Sequence, residues 1–549
     1  MDEPRAQPAA SAQELTQRQR EILTLLRAGK VNKEIARELG IGLGTVKQHV
    51  VAIFKRLHVN NRAMAAARRE ATIDGDLAEA VSAGPGGDGI LERRPCVVLS
   101  LALPEHADKD LVKRLHASLA AQAFEFQAVF LARQGHSADI IFGIHQVHEY
   151  DLLRALQTAY AAFIELMQAD AACAAQLRGG LTAGLVVASM RRFGGWSGEA
   201  IASSAITTAR ELADQAQTGQ MVIDQSAQDL MLAFGIGEQR SGAGALPFDD
   251  LDALFWSGDR IAYPLVGRRD ELAAWKAALA RLACGQGGLI YLEGETGMGK
   301  SRLCHELALE YAGAGGTPAF HRGQPFGTGH SLRDVIKGDV RSAAQMVELL
   351  GAGATAPRLT IIDDLHLLAP EDQTQICVAA AQAAQRGCLT LLSGRNVAGP
   401  LEGAETIRLR RLPMDETATL VREVLTSRGM KVKADKLQSV VSEASGVPLF
   451  AVELARHRGS GLLAMPLLIV VCARLDGLQL DHRLLAAVSK ADLAPPAELV
   501  AHMMQTSVEA IAPALARAVA AGVLGRDADG RYAFTHPVIR LVIEFLRME

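Results

Sequence analysis

The stretch GETGMGKS, residues 294–301, constrains the fold of this chain more than any other feature. It follows the apolar run LIYLE and leads into the helical pattern SRLCHEL. A strand, a glycine-rich turn and a helix in this order predict a phosphate-binding loop on an α/β sheet, where backbone N–H groups converge on phosphate oxygens. Lys300, a candidate catalytic residue, would reach the outer phosphates, and the Ser301 hydroxyl suits Mg²⁺. We expect ATP or ADP with Mg²⁺ to be bound by Gly294, Glu295, Thr296, Gly297, Met298, Gly299, Lys300, Ser301 and Arg302.

Two further apolar runs end in charged residues that suit the same site. LTIIDD ends in Asp363, expected to hold the metal directly or through water, and in Asp364, a second candidate catalytic residue expected to orient the attacking water. LTLLSGR places Arg395 where many ATPases sense the γ-phosphate. The alternative interpretations are an ordinary buried strand with a polar end, and an arginine that is simply solvated.

The N-terminal part contains a basic segment with three short helical patterns. From Leu15 to Glu70 there are twelve Lys and Arg against four Asp and Glu, whereas the whole chain has 57 against 61. The short turn IGLG (41–44) joins the second pattern to the third, which predicts a helix-turn-helix. Cationic and amide side chains there would contact DNA phosphates and base edges. The expected DNA-binding residues are Thr45, Lys47, Gln48, His49, Lys55 and Arg56. A small helical bundle with a solvated charged face is the alternative.

A chain of 549 residues is too long for one hydrophobic core, so several domains are expected. Two stretches rich in Gly and Asp are predicted to be linkers. The expected division is a flexible tail (1–14), a helix-turn-helix domain (15–70), a linker (71–95), a middle domain (96–235), a second linker (236–261), a P-loop domain (262–400), a helical lid (401–465) and a winged-helix domain (466–549).

Cysteine spacing and apolar runs indicate the compartment. The seven cysteines show no C-x-x-C pattern, so we expect buried thiols in a reducing cytosol rather than disulfides or a zinc site. The polar start MDEPRAQPAAS is unlike a secretion signal. The longest apolar run, residues 461–473, is too short to span a bilayer and contains a proline. A cytoplasmic protein without a membrane partner is expected.

The basic segment resembles the LuxR-type helix-turn-helix, on TVKQH at 45–49 and a final helix after Asn60, Asn61 and Arg62. That resemblance implies binding to double-stranded promoter DNA and dimerisation through the last helix.

The C-terminal half resembles the STAND ATPases, the MalT-like and AAA-related regulators. The matching stretches are PLVGRRDEL (264–272), DDLHLL (363–368), ASGVPLFAVELAR (444–456), LLIVVCARLDGL (467–478) and YAFTHPVIRLVIEFL (532–546). The resemblance implies a helical lid and a winged helix, with Pro448 beside the adenine and His536 near the β-phosphate.

The middle domain resembles class III nucleotidyl cyclases, an α+β ferredoxin-like fold. RGGLTAGLVVAS (178–189) matches the hairpin of that family, GHSADIIFG (135–143) its second metal-binding strand and TGQMVID (218–224) a late strand. Cyclisation needs two carboxylates for two metal ions. Ala102 and His136 stand where those carboxylates are expected, and Asp139 lies along the strand from the second place. No Asn, which would orient the ribose, occurs between Arg62 and Arg395. The domain is therefore expected to be a catalytically inactive cyclase fold, and we favour satisfied or exposed histidines over a metal site for His136, His145 and His148.

Together these features predict a multidomain α/β protein that acts as an ATP-dependent bacterial transcription regulator. Its nucleotide would be a signal, with ADP-closed and ATP-open forms that control self-association and promoter binding, and with slow hydrolysis at most. The expected partners are promoter DNA, RNA polymerase, further copies of the chain and an unknown small-molecule or protein signal read by the middle domain. The alternatives are an active nucleotidyl cyclase regulated by the ATPase, and a fast ATPase remodeller.

Overall fold

The structure is a computed structural model that describes residues 90–547 with gaps, together with Arg18, Leu39, Ile41 and Val46. The gaps are 134, 191–195, 235, 237–243, 252–263, 324–346, 348–349, 351–358, 428, 430–433, 458–462 and 492. Thr45, Lys47, Gln48, His49, Lys55 and Arg56, the predicted DNA-binding residues, lie outside the described residues. Within the basic segment, Val46 is buried, as its apolar pattern predicts, and the Arg18 guanidinium donates to the Leu39 carbonyl at 2.7 Å.

The first part of the described chain forms a seven-stranded mixed sheet. Its strands are β1 (Ile90–Ala102), β2 (Val129–Ala132), β3 (Ser137–Phe142), β4 (Arg178–Met190), β5 (Trp196–Ala202), β6 (Gln220–Ile223) and β7 (Gly244–Pro247). They lie in the order β2-β3-β1-β4-β6-β7, with β5 beside β4. The helices are α1 (Lys109–Glu125), α2 (Asp151–Ala169), α3 (Ala171–Ala174), α4 (Ser204–Gln215) and α5 (Gln225–Ala233). Helix α2 packs against β1, and α4 against β4.

Strand β4 is one continuous strand paired with β1 along its whole length, so the predicted hairpin at 178–189 is wrong. Its small residues make room for a helix rather than a turn. A Cβ at Gly180 would lie 2.0 Å from the Ala209 carbonyl oxygen, and one at Gly184 would lie 2.8 Å from the Ala205 Cβ. Since α4 carries both alanines, the glycines allow this helix to lie directly on the sheet.

Both predicted linkers contain strands of this sheet. Strand β1 begins at Ile90, inside the predicted linker 71–95, and its polar residues pair in register with the C-terminal part of β4. Strand β7 lies inside the predicted linker 236–261 and pairs with β6. The turn after β7 is anchored by Phe248, which is fully buried and stacks on Phe163 of α2 at 5.5 Å between ring centroids. The composition of the predicted linkers therefore concealed the start of a central strand, β1, and an edge strand, β7.

The second sheet is parallel and five-stranded, in the order β12-β8-β11-β10-β9. Its strands are β8 (Gly288–Glu293), β9 (Ala319–Arg322), β10 (Leu359–Asp363), β11 (Leu389–Gly394) and β12 (Glu405–Arg408). Its helices are α6 (Arg269–Ala283), α7 (Lys300–Gly313) and α8 (Pro370–Gln385). Strand β12 lies inside the segment predicted to be the lid, 401–465, so the ATPase sheet extends past the predicted boundary at residue 400.

Helices dominate the rest of the chain. Three follow the sheet: α9 (Met414–Ser427), α10 (Ala434–Ala444) and α11 (Pro448–His457). The C-terminal segment has α12 (Met465–Gly477), α13 (His482–Lys490), α14 (Ala497–Met503), α15 (Val508–Ala520), the antiparallel pair β13 (Leu524–Arg526) and β14 (Tyr532–Phe534), and α16 (Pro537–Leu546). Within the described residues, no helix combines the length and the apolar character needed to cross a membrane.

Six of the cysteines are buried and none of the seven is in a disulfide. Cys284 differs from the expectation of buried thiols, because it follows α6 at the surface and is exposed.

A buried cluster of charges joins the first sheet to the C-terminal helices. The Arg94 guanidinium of β1 makes two hydrogen bonds to the Asp476 carboxylate of α12, and both side chains are almost fully buried. Nδ1 of His482 lies 3.0 Å from the Glu92 carboxylate, and its Nε2 lies 3.4 Å from Asp476. Burial opposes the imidazolium charge, but the two carboxylates outweigh it and raise the pKa of His482 to about 10.

This shift predicts a pH-dependent stability. A group whose pKa is raised by folding stabilises the fold fully below its unfolded value and loses that contribution as pH rises through its folded value. The stabilisation by His482 should therefore be complete below about pH 6.5 and decline towards about pH 10. The free energy of unfolding of the wild type, measured relative to His482→Gln by urea titration, should shrink by up to about 1.4 kcal/mol per pH unit in that window. His502→Gln, at an exposed histidine of α14, is the control, and a constant difference between wild type and His482→Gln would contradict the assignment.

Candidate functional site

Residues 294–301 form a loop between β8 and α7, as predicted. Gly297 and Gly299 have φ values of 77° and 89°, in the left-handed region that glycine adopts without strain. A Cβ at Gly297 would also lie 2.9 Å from the Leu449 Cβ, and the Leu449 N–H donates to the Gly297 carbonyl at 3.1 Å. The loop therefore ends at the N-terminus of α7, where backbone N–H groups favour anions, and it is braced by α11.

Two cations organise the carbonyl groups of the loop. Lys300 is 6% exposed, and its Nζ donates to the carbonyls of Gly294 and Glu295 at 2.8 and 3.2 Å. The Arg268 guanidinium donates to the Met298 carbonyl at 2.8 Å. Arg268 belongs to the stretch PLVGRRDEL, which in the sequence served only as part of a family resemblance. In the structure, the Arg268 side chain connects this stretch to the phosphate-binding loop.

The carboxylates at the end of β10 lie beside the loop in different electrostatic surroundings. Asp363 is buried and accepts hydrogen bonds from Ser301 and Ser393; burial, and then the charge of Asp364, raise its pKa. Burial also opposes ionisation of Asp364, but the Arg322 guanidinium and then Lys300 outweigh it and lower its pKa. The pair thus offers an ionised carboxylate at Asp364. Ser301 and Asp363 provide adjacent oxygen ligands, the type that Mg²⁺ prefers.

Arg395 follows β11 and is connected to the phosphate-binding loop through Glu149, which binds both Arg395 and Thr296. Its guanidinium makes two parallel hydrogen bonds to the Glu149 carboxylate, at 3.1 and 3.3 Å, and its Nε lies 3.2 Å from Nε2 of His366. The Thr296 hydroxyl lies 2.8 Å from each oxygen of the same carboxylate. Glu149 comes from the loop between β3 and α2, so the first sheet contributes directly to the phosphate-binding region.

A cavity of about 150 Å³ lies next to the loop. Its charged lining residues include Lys300, Asp364 and Arg322. Its apolar lining residues are Tyr150, Ala233, Phe234, Pro264, Leu265, Val266, Leu412, Leu420, Pro448, Leu449 and Val452. A lining that combines phosphate-binding groups with apolar side chains suits a nucleotide, and Pro448 is the candidate neighbour of the base.

The structure brings most of the predicted site residues together. Residues 296–302, Asp364 and Pro448 line the cavity. Asp363 lies behind them and accepts a hydrogen bond from Ser301. Gly294, Glu295 and Arg395 instead face a separate cleft of about 520 Å³.

His536 is not among the residues that line the cavity. Its Nδ1 accepts a hydrogen bond from the Val538 N–H and so caps α16, and its ring stands edge-on to Phe450 at 5.0 Å. Burial lowers the pKa of His536 to about 4, which leaves the ring neutral.

Two residues of this region were not predicted. Arg322 ends β9 beside Asp363 and lies 3.5 Å from the Asp364 carboxylate, while it also donates to the Phe234 carbonyl at 2.6 Å. A basic residue at the end of a neighbouring parallel strand is a signal that a search of the sequence could have used. Glu149 carried no such signal, because its position depends on how two domains pack.

The middle domain lacks a free pair of carboxylates at the places expected for a cyclase. Ala102 ends β1 opposite Ser137, and Asp139 is completely buried opposite Ser100. Asp139 is hydrogen-bonded to the Arg210 guanidinium of α4 at 2.9 Å, so its charge is already neutralised. Among the described residues, no three His, Cys, Asp or Glu side chains are placed to share a metal ion.

Comparison with known proteins identifies two domains. Residues 13–68 match the family described as bacterial regulatory proteins, luxR family, and residues 264–345 match the AAA ATPase domain. The chain therefore contains a LuxR-type DNA-binding domain and an AAA ATPase domain, within a mixed α/β fold.

The curated relatives match the DNA-binding domain. The putative HTH-type transcriptional regulator YhjB of Escherichia coli is 58% identical over 52 residues, which is 10% of this chain and 26% of that protein. The transcriptional regulatory protein LiaR of Bacillus subtilis is 50% identical over 52 residues, 10% of this chain and 25% of that protein. The chain thus matches these relatives over about a quarter of their length.

Solved structures resemble other parts of the chain. The Walker-type ATPase PABY2304 of Pyrococcus abyssi covers 51% of this chain and 96% of its own, at 14% identity and a TM-score of 0.32. The adenylyl cyclase CyaB of P. aeruginosa covers 28% of this chain and 93% of its own, at 14% identity and a TM-score of 0.23. Scores this low decide nothing about the function of either region.

Proposed function

We propose that this protein is an ATP-dependent transcription regulator in which the bound nucleotide controls self-association and promoter binding. The observation that carries the proposal is the presence of a LuxR-type DNA-binding domain and an AAA ATPase domain in one chain. The assembled phosphate-binding loop, with Lys300, Ser301 and the two carboxylates beside it, supports binding of ATP or ADP. RNA polymerase, further copies of the chain and an unknown signal are the proposed partners.

The roles of the site residues follow from their positions. Backbone N–H groups of the loop and Lys300 would bind the phosphates, and Pro448 would lie against the base. Ser301 and Asp363 would hold Mg²⁺, which supplies positive charge to the phosphate oxygens when it is bound. Ionised Asp364 would orient the attacking water. We propose slow hydrolysis that resets the switch.

The arrangement of lobes also supports a STAND-like switch. Helix α11 contacts the phosphate-binding loop at Gly297, and the C-terminal helices contact α11, so a change at the loop has a direct route to them. A ligand shifts such an equilibrium only by its difference in affinity for the two arrangements, and a shift from 1:99 to 99:1 needs about 5.5 kcal/mol. The predicted contact of His536 with the β-phosphate would need a different arrangement from the one described.

We propose that the middle domain is a cyclase-like fold without cyclase activity. The Asp139–Arg210 ion pair supports this, because a carboxylate already neutralised by an arginine is a poor metal ligand. Incubation of the purified protein with ATP or GTP and Mn²⁺ should yield no cyclic nucleotide, and formation of one would favour the alternative of an active cyclase.

ATP turnover well above about one per second without any partner, within the range of ordinary enzymes, would instead favour a remodelling ATPase.

Lys47→Ala should weaken DNA binding without changing nucleotide affinity. A lysine that neutralises one phosphate contributes about one unit to the slope of log affinity against log salt concentration, so the variant should lose that amount per domain. Fluorescence anisotropy on a double-stranded DNA obtained by selection with the wild type measures both the DNA affinity and its salt dependence.

Lys109→Ala, at an exposed lysine of α1, is the matched control for the removal of one surface charge. An unchanged salt dependence in Lys47→Ala would show that the recognition helix lies elsewhere.

A further inference from the structure

Glu149 is buried at the phosphate-binding loop although it belongs to the first sheet. Its side chain is 5% exposed, and the Thr296 hydroxyl and the Arg395 guanidinium bind both of its oxygens. Burial raises the pKa of this carboxyl, and Arg395, then Thr296 and Lys300, oppose that rise. Burying a carboxylate is costly unless it is paired in this way, so the contact is a specific one between the two domains.

The loop that carries Glu149 is fixed at a second point. The Val147 N–H donates to the Asp476 carboxylate at 2.7 Å, the same carboxylate that is paired with Arg94. The Arg94 guanidinium also reaches the Gly143 carbonyl. The C-terminal helix α12 thus positions the loop, and the loop places Glu149 on the ATPase domain.

A second contact engages Arg322, which lines the cavity, whereas Arg395 faces the neighbouring cleft. Arg322 donates to the Phe234 carbonyl at 2.6 Å while it faces Asp364. Phe234, which follows α5, and Tyr150, which follows Glu149, both line the cavity. Arg395 and Arg322 therefore both bind oxygen atoms of the middle domain.

These contacts resemble those that a terminal phosphate would make. A carboxylate and a phosphate are both anions that accept parallel hydrogen bonds from one guanidinium, and they repel each other when both are present. Glu149 and a γ-phosphate therefore cannot share Thr296 and Arg395.

We propose that Glu149 is an internal competitor of the γ-phosphate, which makes the site discriminate between nucleoside triphosphate and diphosphate and undocks the middle domain when a triphosphate binds. This inference rests on the proposed function, because it requires that the loop bind nucleotide. A diphosphate lacks the group that competes for Arg395, so it leaves the Glu149 contact in place. By linkage, any signal that loosens the middle domain raises the affinity for triphosphate by the same factor.

The test is calorimetric titration of the full chain with ADP and with a non-hydrolysable ATP analogue. Glu149→Gln removes the negative charge and keeps the size of the side chain, and Glu149→Ala removes both. Because the charge-assisted hydrogen bonds that compete with the phosphate are weakened or lost, both variants should bind the ATP analogue about tenfold or more tightly, with ADP affinity changed much less. Glu165→Gln, at an exposed residue of α2, is the control and should bind like the wild type.

The possible results separate the two proposals. If the wild type binds both nucleotides and the Glu149 variants show the same ratio of ATP-analogue affinity to ADP affinity, the competitor role is overturned, whereas the proposed nucleotide site is supported. A weaker affinity of both variants for the ATP analogue would also overturn it, since Glu149 would then complete the site. If neither wild type nor variants bind any nucleotide, both proposals fail.

Hydrogen exchange provides a readout that is independent of affinity. On addition of the ATP analogue, the amides of residues 144–150 should exchange faster in the wild type, because the loop leaves the site; with ADP they should not. Added protection of this segment by the ATP analogue would contradict undocking.

Discussion

Replacing Lys300 with alanine should abolish nucleotide binding at ordinary concentrations. The Lys300 ammonium is held at the base of the loop by the Gly294 and Glu295 carbonyls, where it can reach bound phosphates. Loss of charge-assisted hydrogen bonds to phosphates, at about 1.5–3 kcal/mol for each, predicts an affinity at least roughly a hundredfold lower. Titration calorimetry with ATP and ADP measures it directly.

The same variant should lose transcriptional output while keeping its fold and weak non-specific DNA binding. Lys276→Ala is the matched control, because Lys276 lies on α6 of the same domain with 67% of its side chain exposed. ATP-dependent activation that persists in Lys300→Ala would contradict a nucleotide-gated mechanism.

Asp476→Asn should have the largest effect on stability. The substitution leaves the buried Arg94 guanidinium with only the more distant Glu92 carboxylate, at 3.8 Å, and weakens the acceptor of the Val147 N–H. Removal of one member of a buried ion pair typically costs about 3–5 kcal/mol, because the other charge remains desolvated. The urea midpoint of the transition should fall accordingly.

The same substitution tests the link between this cluster and the nucleotide site. Because Asp476 positions the loop of Glu149, Asp476→Asn should also raise the affinity for the ATP analogue. Asp529→Asn, at an exposed residue between β13 and β14, is the control for the removal of one acidic charge. A midpoint equal to that of the wild type would show that the cluster contributes nothing to the fold.

The parts of the site that depend on local chain geometry could be predicted. The loop, Lys300, Ser301 and the two carboxylates follow from a strand–turn–helix pattern and from the alignment of parallel strand ends. Arg322 follows from the same geometry but was missed, since its strand is short.

Contacts between domains could not be predicted in this way. Glu149 and Thr296 are 147 residues apart, and nothing in the spacing of either segment links them. The glycines of β4 were misread for a related reason: their function is to admit α4, and a helix that packs from elsewhere leaves no local pattern. The segments 90–95 and 244–247, which end or lie within the predicted linkers, likewise form strands because partner strands are present.

The most direct test of nucleotide gating is the affinity of the full chain for its selected DNA with ADP and with a non-hydrolysable ATP analogue, at one salt concentration. The account predicts tighter binding and a steeper salt dependence with the ATP analogue, because self-association brings more DNA-binding domains onto one duplex. Equal affinity and equal salt dependence with the two nucleotides would contradict it.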